Sequence, residues 1–318
     1  MSSLFNGIKH TAYIFMLKTL IKVTPSAITP TTFVGKGATA KLAEHISRMD
    51  VTKILIVSDK PLVELGIVAK SADVLAAEGV EVTIYDGVLP DPTLDLAEAC
   101  LKVQQEHKCD GVLAIGGGSA IDTAKTVAGA ATNGGSCAAM LGFFKVKKQP
   151  LPLFAIPTTS GTGSEVTFGA VISDAVSHEK YFVGDPKIVP KAIALDPELI
   201  TGLPPAITAA TGMDALTHAI EAYTSTWAKP QSDDYAASAI KMIFEHLPEA
   251  YNNGSSLVAR EQMSIAAYYA GIAINTAAVG NVHAIAHQFG AMVWRPPRPC
   301  KCGCSSPCIT FFQGFYGR

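Results

Sequence analysis

At 318 residues, 48% of them hydrophobic, the chain is long enough to bury the cores of about two domains. Its 25 basic and 27 acidic side chains leave a net charge of −2, so no bulk field draws it to nucleic acid or to an anionic membrane. A small molecule is the expected partner, and no apolar run approaches the roughly 20 residues that a membrane-spanning helix needs.

No Asp or Glu precedes Glu44, and residues 11–17 form a short apolar stretch after Lys9. This superficially resembles a targeting segment, but it lacks arginine and a small-residue cleavage pattern, so no targeting peptide is expected. From about Ala38, apolar segments at 53–58, 81–88, 111–116, 153–157 and 192–195 read as strands. Between them, segments such as 62–77 and 94–107 carry apolar residues every three or four positions and read as helices. This alternation predicts an α/β unit with a parallel sheet covered on both faces. Cys100, Cys109 and Cys137 form an odd, scattered trio in the body of the chain, which suggests reduced thiols and a cytoplasmic location.

Three loops at strand ends carry polar chemistry. Asp59 follows the first strand, where a carboxylate could accept hydrogen bonds from an adenosine ribose and repel a 2′-phosphate, favouring NAD over NADP; the competing reading is an N-cap for the next helix. The strand at 111–115 runs into GGGSAIDTAK at 116–125, a glycine turn opening a helix. Such a turn lets backbone amides approach a diphosphate under the positive end of the helix dipole. The spacing differs from G-x-G-x-x-G because Ile121 stands where the third glycine would fall, and a capping box between Ser119 and Asp122 is the plainer alternative. PTTSGTGSE at 157–165 then offers hydroxyls and bare amides suited to ribose and phosphate, or else a solvated loop.

Beyond Pro197 the pattern changes to long Ala-rich segments at 205–223, 233–251 and 257–274, which predict an all-helical second domain. The expected division is 1–197 for the α/β unit, 198–294 for the helical unit and 295–318 for a compositionally foreign, unstructured tail. Within the helical unit, Asp214 and His218 in GMDALTHAIEAY lie four apart and project from one helix face. NVHAIAHQFGA repeats the spacing with His283 and His287. Each histidine alone reads more readily as a satisfied core residue, but two such pairs in one domain favour a metal. A carboxylate and imidazole set without thiolate suits Fe(II) or Zn(II).

In order and span, GGGSAIDTAK, PTTSGTGSE, GMDALTHAIEAY and NVHAIAHQFGA resemble the iron-containing alcohol dehydrogenase family, from about Thr32 to Val293. The resemblance implies an N-terminal dinucleotide-binding α/β domain and a C-terminal helical domain with the active site in the cleft between them. It implies Gly117, Gly118 and Ser119 on the pyrophosphate, Thr158, Thr159 and Thr162 along the cofactor, Asp59 at the adenine ribose and, more weakly, Lys180 near the cofactor. It implies Asp214, His218 and His283 as metal ligands and His287 as the catalytic histidine relaying a proton. NAD, Fe(2+) with Zn(2+) as the alternative, an alcohol or aldehyde substrate and a homodimer as candidate assembly complete the expectation. The implied chemistry is hydride transfer between alcohol and nicotinamide with Lewis-acid assistance.

One departure stands out. The position at which the family carries its fourth ligand falls at Pro297, within a segment rich in Pro, Cys and basic residues. A frameshifted or alternative ending is therefore expected, with an impaired enzyme as its consequence. A separate thiolate site on Cys300, Cys302, Cys304 and Cys308 has gaps tighter than the usual zinc spacing. The other readings are a catalytically inactive NAD-binding remnant and a zinc-dependent polyol dehydrogenase of the same superfamily.

Overall fold

The computed structural model describes residues 29–177 and 179–292, with side chains through Ala286. The expectations placed on residues 11–17, on the tail and on Pro297 lie outside the described residues, as does the side chain of His287.

Six parallel strands form the main sheet in the order β1-β9-β6-β4-β2-β3, with β1 at Thr31–Val34, β2 at Lys53–Val57, β3 at Glu81–Tyr85, β4 at Gly111–Gly116, β6 at Leu153–Pro157 and β9 at Ala192–Leu195. Strands β4, β6 and β9 are buried along their whole length. Helices on both faces explain this, and it is why these strands read as unbroken apolar runs instead of alternating ones. One core holds Leu55, Val112 and Ile193 against α5 (Gly118–Thr132) and α4 (Leu94–His107). The other holds Ile54, Leu113 and Phe154 against α1 (Ala38–Ser47) and α3 (Ile67–Ala77).

The single helix expected over 62–77 is two: α2 (Lys60–Glu64) and α3, separated by Gly66 at φ 74. A left-handed residue reverses the chain direction locally, and glycine adopts that conformation without a Cβ penalty. A second, three-stranded sheet was not expected. It orders β5 (Gly142–Phe143), β8 (Lys180–Gly184) and β7 (Gly169–Ser173), with β7 and β8 antiparallel.

After the 3-10 turn Pro197–Leu199 the chain is helical: α6 (Pro205–Tyr223), α7 (Pro230–Asn252), α8 (Leu257–Ala277) and α9 (Asn281–Met292). Alanines dominate where α6, α7 and α8 meet, with Ala215, Ala219, Ala239, Ala266 and Ala270 all buried. Small side chains let the helix axes approach closely. Arg260 ties the start of this unit together, donating from Nη1 to Thr208 Oγ1 at 2.6 Å, from Nη2 to Leu203 O at 2.9 Å and from Nε to Gly254 O at 2.9 Å. Among the described residues no helix is long and apolar enough to cross a membrane.

Candidate functional site

The chain leaves β2 for β3 on one side and returns to β4 on the other, so the crevice between the C-terminal ends of β2 and β4 is a topological switch point. Ligands of open α/β sheets gather in such crevices. Asp59 and the glycine turn both open onto it. Ser58 Oγ donates to Ile115 O at 2.7 Å, tying the two strand ends together. Asp59 Oδ2 lies 4.0 Å from where a Cβ on Gly116 would stand. The carboxylate also caps α2, accepting from Leu62 N at 2.9 Å. Both readings of this residue thus coexist, and one oxygen remains directed at the turn. Burial raises the Asp59 pKa, partly offset by the Leu62 hydrogen bond.

Gly117 is the N-cap of α5, and no side chain caps that end. The Ser119–Asp122 capping box does not form, because Asp122 is engaged elsewhere: its Oδ1 accepts from Ser164 Oγ at 2.5 Å and its Oδ2 from Val171 N at 2.9 Å. First-turn amides without a side-chain cap are what an anion requires. Gly116, at φ 157, leaves no room for a side chain, since a Cβ would lie 2.6 Å from Ala120 Cβ.

Strand β6 pairs with β4 so that Pro157 stands beside Gly116, and Thr158 N continues the ladder by donating to Gly116 O at 3.0 Å. The hydroxyl loop therefore starts against the glycine turn. A Cβ on Gly117 would lie 3.3 Å from Thr159 Oγ1, and one on Gly118 only 2.9 Å from Thr162 Cγ2. Thr159 Oγ1 is buried and has no hydrogen-bond partner among the described residues. The structure thus brings together Asp59, Gly117, Gly118, Ser119, Thr158, Thr159 and Thr162. Lys180 is ion-paired, with Nζ 2.6 Å from Asp91 Oδ1, which also accepts from Ser173 Oγ at 2.7 Å.

Beneath the turn lies a polar network that the sequence reading missed. Lys125 is fully buried and donates from Nζ to Gly169 O at 2.7 Å, Thr167 O at 2.8 Å, Thr167 Oγ1 at 3.1 Å and Ser164 Oγ at 3.2 Å. Four oxygens around one ammonium hold α5, the hydroxyl loop and β7 in register. Burial pushes the Lys125 pKa down to about 8 and that of neighbouring Glu165 up to about 7. A carboxyl whose folded pKa is raised contributes stability that is fully present below its ordinary pKa of 4.5 and is lost as pH rises through about 7. Glu165→Gln should therefore match wild type in urea unfolding at pH 4. At pH 8 it should be more stable by on the order of 2 kcal/mol. Equal displacement of the two curves at both pH values would remove the assignment.

The same loop continues onto the helical unit through backbone contacts. A Cβ on Gly161 would lie 2.7 Å from Thr211 O in α6, and one on Gly163, at φ 61, would lie 2.6 Å from Gly271 Cα in α8. Ser160 Oγ and Ser264 Oγ are 3.2 Å apart. Residues 160–163 thus form a glycine seam along which both helices touch the loop.

Helix α6 places Asp214 and His218 one turn apart on its buried face, and α9 brings in His283; the three residues are 1%, 6% and 5% exposed. One potential ligand atom from each lies within 4.8 Å of the others. The His218 and His283 rings stack at 4.3 Å, and His283 Nε2 stands 3.7 Å from Asp214 Oδ1. His218 Nδ1 is buried with no hydrogen-bond partner among the described residues. Burial lowers the His218 pKa to about 4, against the pull of Asp214, so the ring is a neutral donor at neutral pH. For His283 burial also disfavours charge, but Asp214 and Glu221 outweigh it and the pKa is raised. Buried carboxylate and imidazole donors converging on one point, one of them an orphaned ring nitrogen, fit a divalent cation.

Comparison with known proteins agrees with this geometry. The sequence pattern of the iron-containing alcohol dehydrogenase family matches residues 29–197, and that of its C-terminal part, Fe-containing alcohol dehydrogenase family, C-terminal, matches residues 208–296. Alcohol dehydrogenase 4 of Saccharomyces cerevisiae is 43% identical over 279 residues, covering 88% of this chain and 73% of the yeast protein. The NAD-dependent methanol dehydrogenase of Bacillus methanolicus is 41% identical over 265 residues, covering 83% of this chain and 70% of its own. Sulfoacetaldehyde reductase from Bifidobacterium kashiwanohense, solved in complex with NAD+, superposes with a TM-score of 0.78 at 31% identity, covering 84% of this chain and 71% of its own. With its parallel sheet, its helical unit and its Asp-His-His group in place, this chain belongs to the iron-containing alcohol dehydrogenase family.

Proposed function

We propose that the chain binds NAD at the switch-point crevice and a divalent cation at Asp214, His218 and His283, and transfers hydride between a primary alcohol or aldehyde and the nicotinamide. The observation that carries this reading is the single loop shared by both half-sites: Thr162 packs on Gly118, while Gly161 packs on Thr211, three residues before Asp214 on α6. When bound, the cation supplies Lewis acidity for an alcohol oxygen and the nicotinamide supplies the hydride acceptor.

The residues then divide the work. First-turn amides at Gly117, Gly118 and Ser119 hold the diphosphate, with Thr158, Thr159 and Thr162 hydrogen-bonding along the cofactor and Asp59 selecting an unphosphorylated ribose. Lys180, held by Asp91, sits at the edge of that surface, and His287 relays the hydroxyl proton toward solvent. Fe(2+) is the first candidate and Zn(2+) the second. The α/β unit ends at residue 197, where the first family match also ends. Among the described residues three side chains converge as candidate ligands, and Pro297, where the resemblance places the fourth, has no side-chain donor, so weaker cation retention and lowered turnover are expected.

The test is NADH formation from a panel of primary alcohols in Fe(II) or Zn(II). A flat trace from folded, metal-loaded protein would reject turnover. Gly118→Val places a branched side chain where a Cβ is already 2.9 Å from Thr162. It should weaken NAD binding by about tenfold or more, since each 1.4 kcal/mol is tenfold, while cation affinity stays within twofold. Unchanged NAD affinity in that variant would displace the cofactor from the glycine turn.

A further inference from the structure

Glu221 is not one of the three converging donors, yet its carboxylate is the hub of the contacts that place His283. It stands on α6 at the third position after His218 and the seventh after Asp214, on the same helix face. Its Oε2 lies 2.5 Å from His283 Nδ1 and accepts from Gly280 N at 2.9 Å, while Oε1 accepts from Val282 N at 2.6 Å. Two of these donors are backbone amides at the start of α9, so Glu221 caps that helix from a neighbouring one. A Cβ on Gly280 would lie 2.9 Å from Oε1, so the bare glycine is what lets the carboxylate come so close. The side chain is 8% exposed, and hydrogen bonds from Gly280, His283 and Val282 outweigh burial and keep its pKa low.

We propose that Glu221 is a positioning residue for the cation site: it holds the Nδ1–H form of His283, leaves Nε2 facing Asp214 and His218 as the ligating nitrogen, and docks α9 at the required height. This rests on the reading of Asp214, His218 and His283 as a cation site. A carboxylate on the far nitrogen fixes the tautomer and ring orientation of a ligating histidine and raises its basicity. Glutamine cannot replace it. With three donors directed at the side chain, an amide NH2 must oppose either Val282 N–H or the His283 proton.

The experiment titrates metal-free protein with Co(II) and Zn(II) against a chelator, following the Co(II) absorption spectrum, for wild type, Glu221→Gln, Glu221→Asp, Asp214→Ala and His283→Ala. Glu221→Gln should bind about 10–100-fold more weakly and with an altered Co(II) spectrum, and Glu221→Asp should recover part of the loss. NAD affinity should be unchanged in both. In a His283→Ala background Glu221→Gln should cost less than twofold further, because the effect runs through that ring. In zinc-loaded wild type, long-range nitrogen couplings should show the proton of His283 on Nδ1. Wild-type affinity in Glu221→Gln, an undiminished loss in the His283→Ala background, or zinc on Nδ1 would each overturn the proposal. If wild type takes up no cation, or if Asp214→Ala retains it fully, the cation site itself fails. That outcome is distinct from Asp214→Ala losing the cation while Glu221→Gln keeps it.

Discussion

Asp214→Ala is expected to leave a folded protein that binds NAD normally, binds Zn(II) or Fe(II) at least about 100-fold more weakly and turns over about a thousandfold more slowly. The rate loss corresponds to the several kcal/mol that Lewis-acid stabilisation supplies. Asp214 is the one carboxylate among the three donors, so removing it takes away the negative charge that offsets a dication. Its side chain is 1% exposed and stands 3.7 Å from His283 Nε2. Added Zn(II) should raise the midpoint of thermal unfolding of wild type but not of the variant, because a ligand stabilises only the state that binds it. Equal metal-induced shifts in the two proteins would place the cation elsewhere.

Gly163→Val should give the largest loss of stability among substitutions outside the sheet cores. The backbone there is left-handed at φ 61, and the new Cβ would stand 2.6 Å from Gly271 Cα, which is backbone and cannot rotate away. A left-handed non-glycine residue costs about 1–3 kcal/mol and overpacking a similar amount, giving a loss of about 2–5 kcal/mol in urea unfolding. Because the loop touches both half-sites, NAD and cation affinity should fall together. Gly202→Ala is the control: nothing lies within 4 Å of its added Cβ and its φ is not positive, so it should unfold within about 0.5 kcal/mol of wild type. A Gly163→Val midpoint equal to that of Gly202→Ala would mean that the seam is not closely packed in solution.

Much of the site was legible because it is written locally. Three consecutive glycines between an apolar strand and a helical pattern specify a bare backbone turn into a helix within ten residues of chain, and Asp214 with His218 announce a shared helix face by spacing alone. Strands β2, β4, β6 and β9 and helices α4, α5 and α6 were likewise visible in hydrophobic periodicity. What stayed hidden depends on contacts far apart in the chain. Strand β1 carries the short run Thr31–Val34 and is defined by pairing with Ala192–Leu195. The antiparallel pair β7 and β8 has Phe182 packed over Gly169 and Gly184, which no local period reveals. Gly163 and Gly271 look like ordinary glycines until their backbones meet. Glu221 reads as the polar edge of an amphipathic helix; its spacing from Asp214 and His218 was the one available signal, and its partners at the start of α9 could not be read from it. Asp122 looked like a cap because Ser164 and Val171, its true partners, lie beyond the next strand.

The most direct test of a shared cation is diffraction from crystals of the zinc-loaded protein, with data collected on both sides of the zinc absorption edge. A single anomalous peak within about 2.0–2.2 Å of one donor atom each from Asp214, His218 and His283 is the expected result. A peak at any other cluster, or the three side chains turned away from a common point with no peak between them, would contradict it.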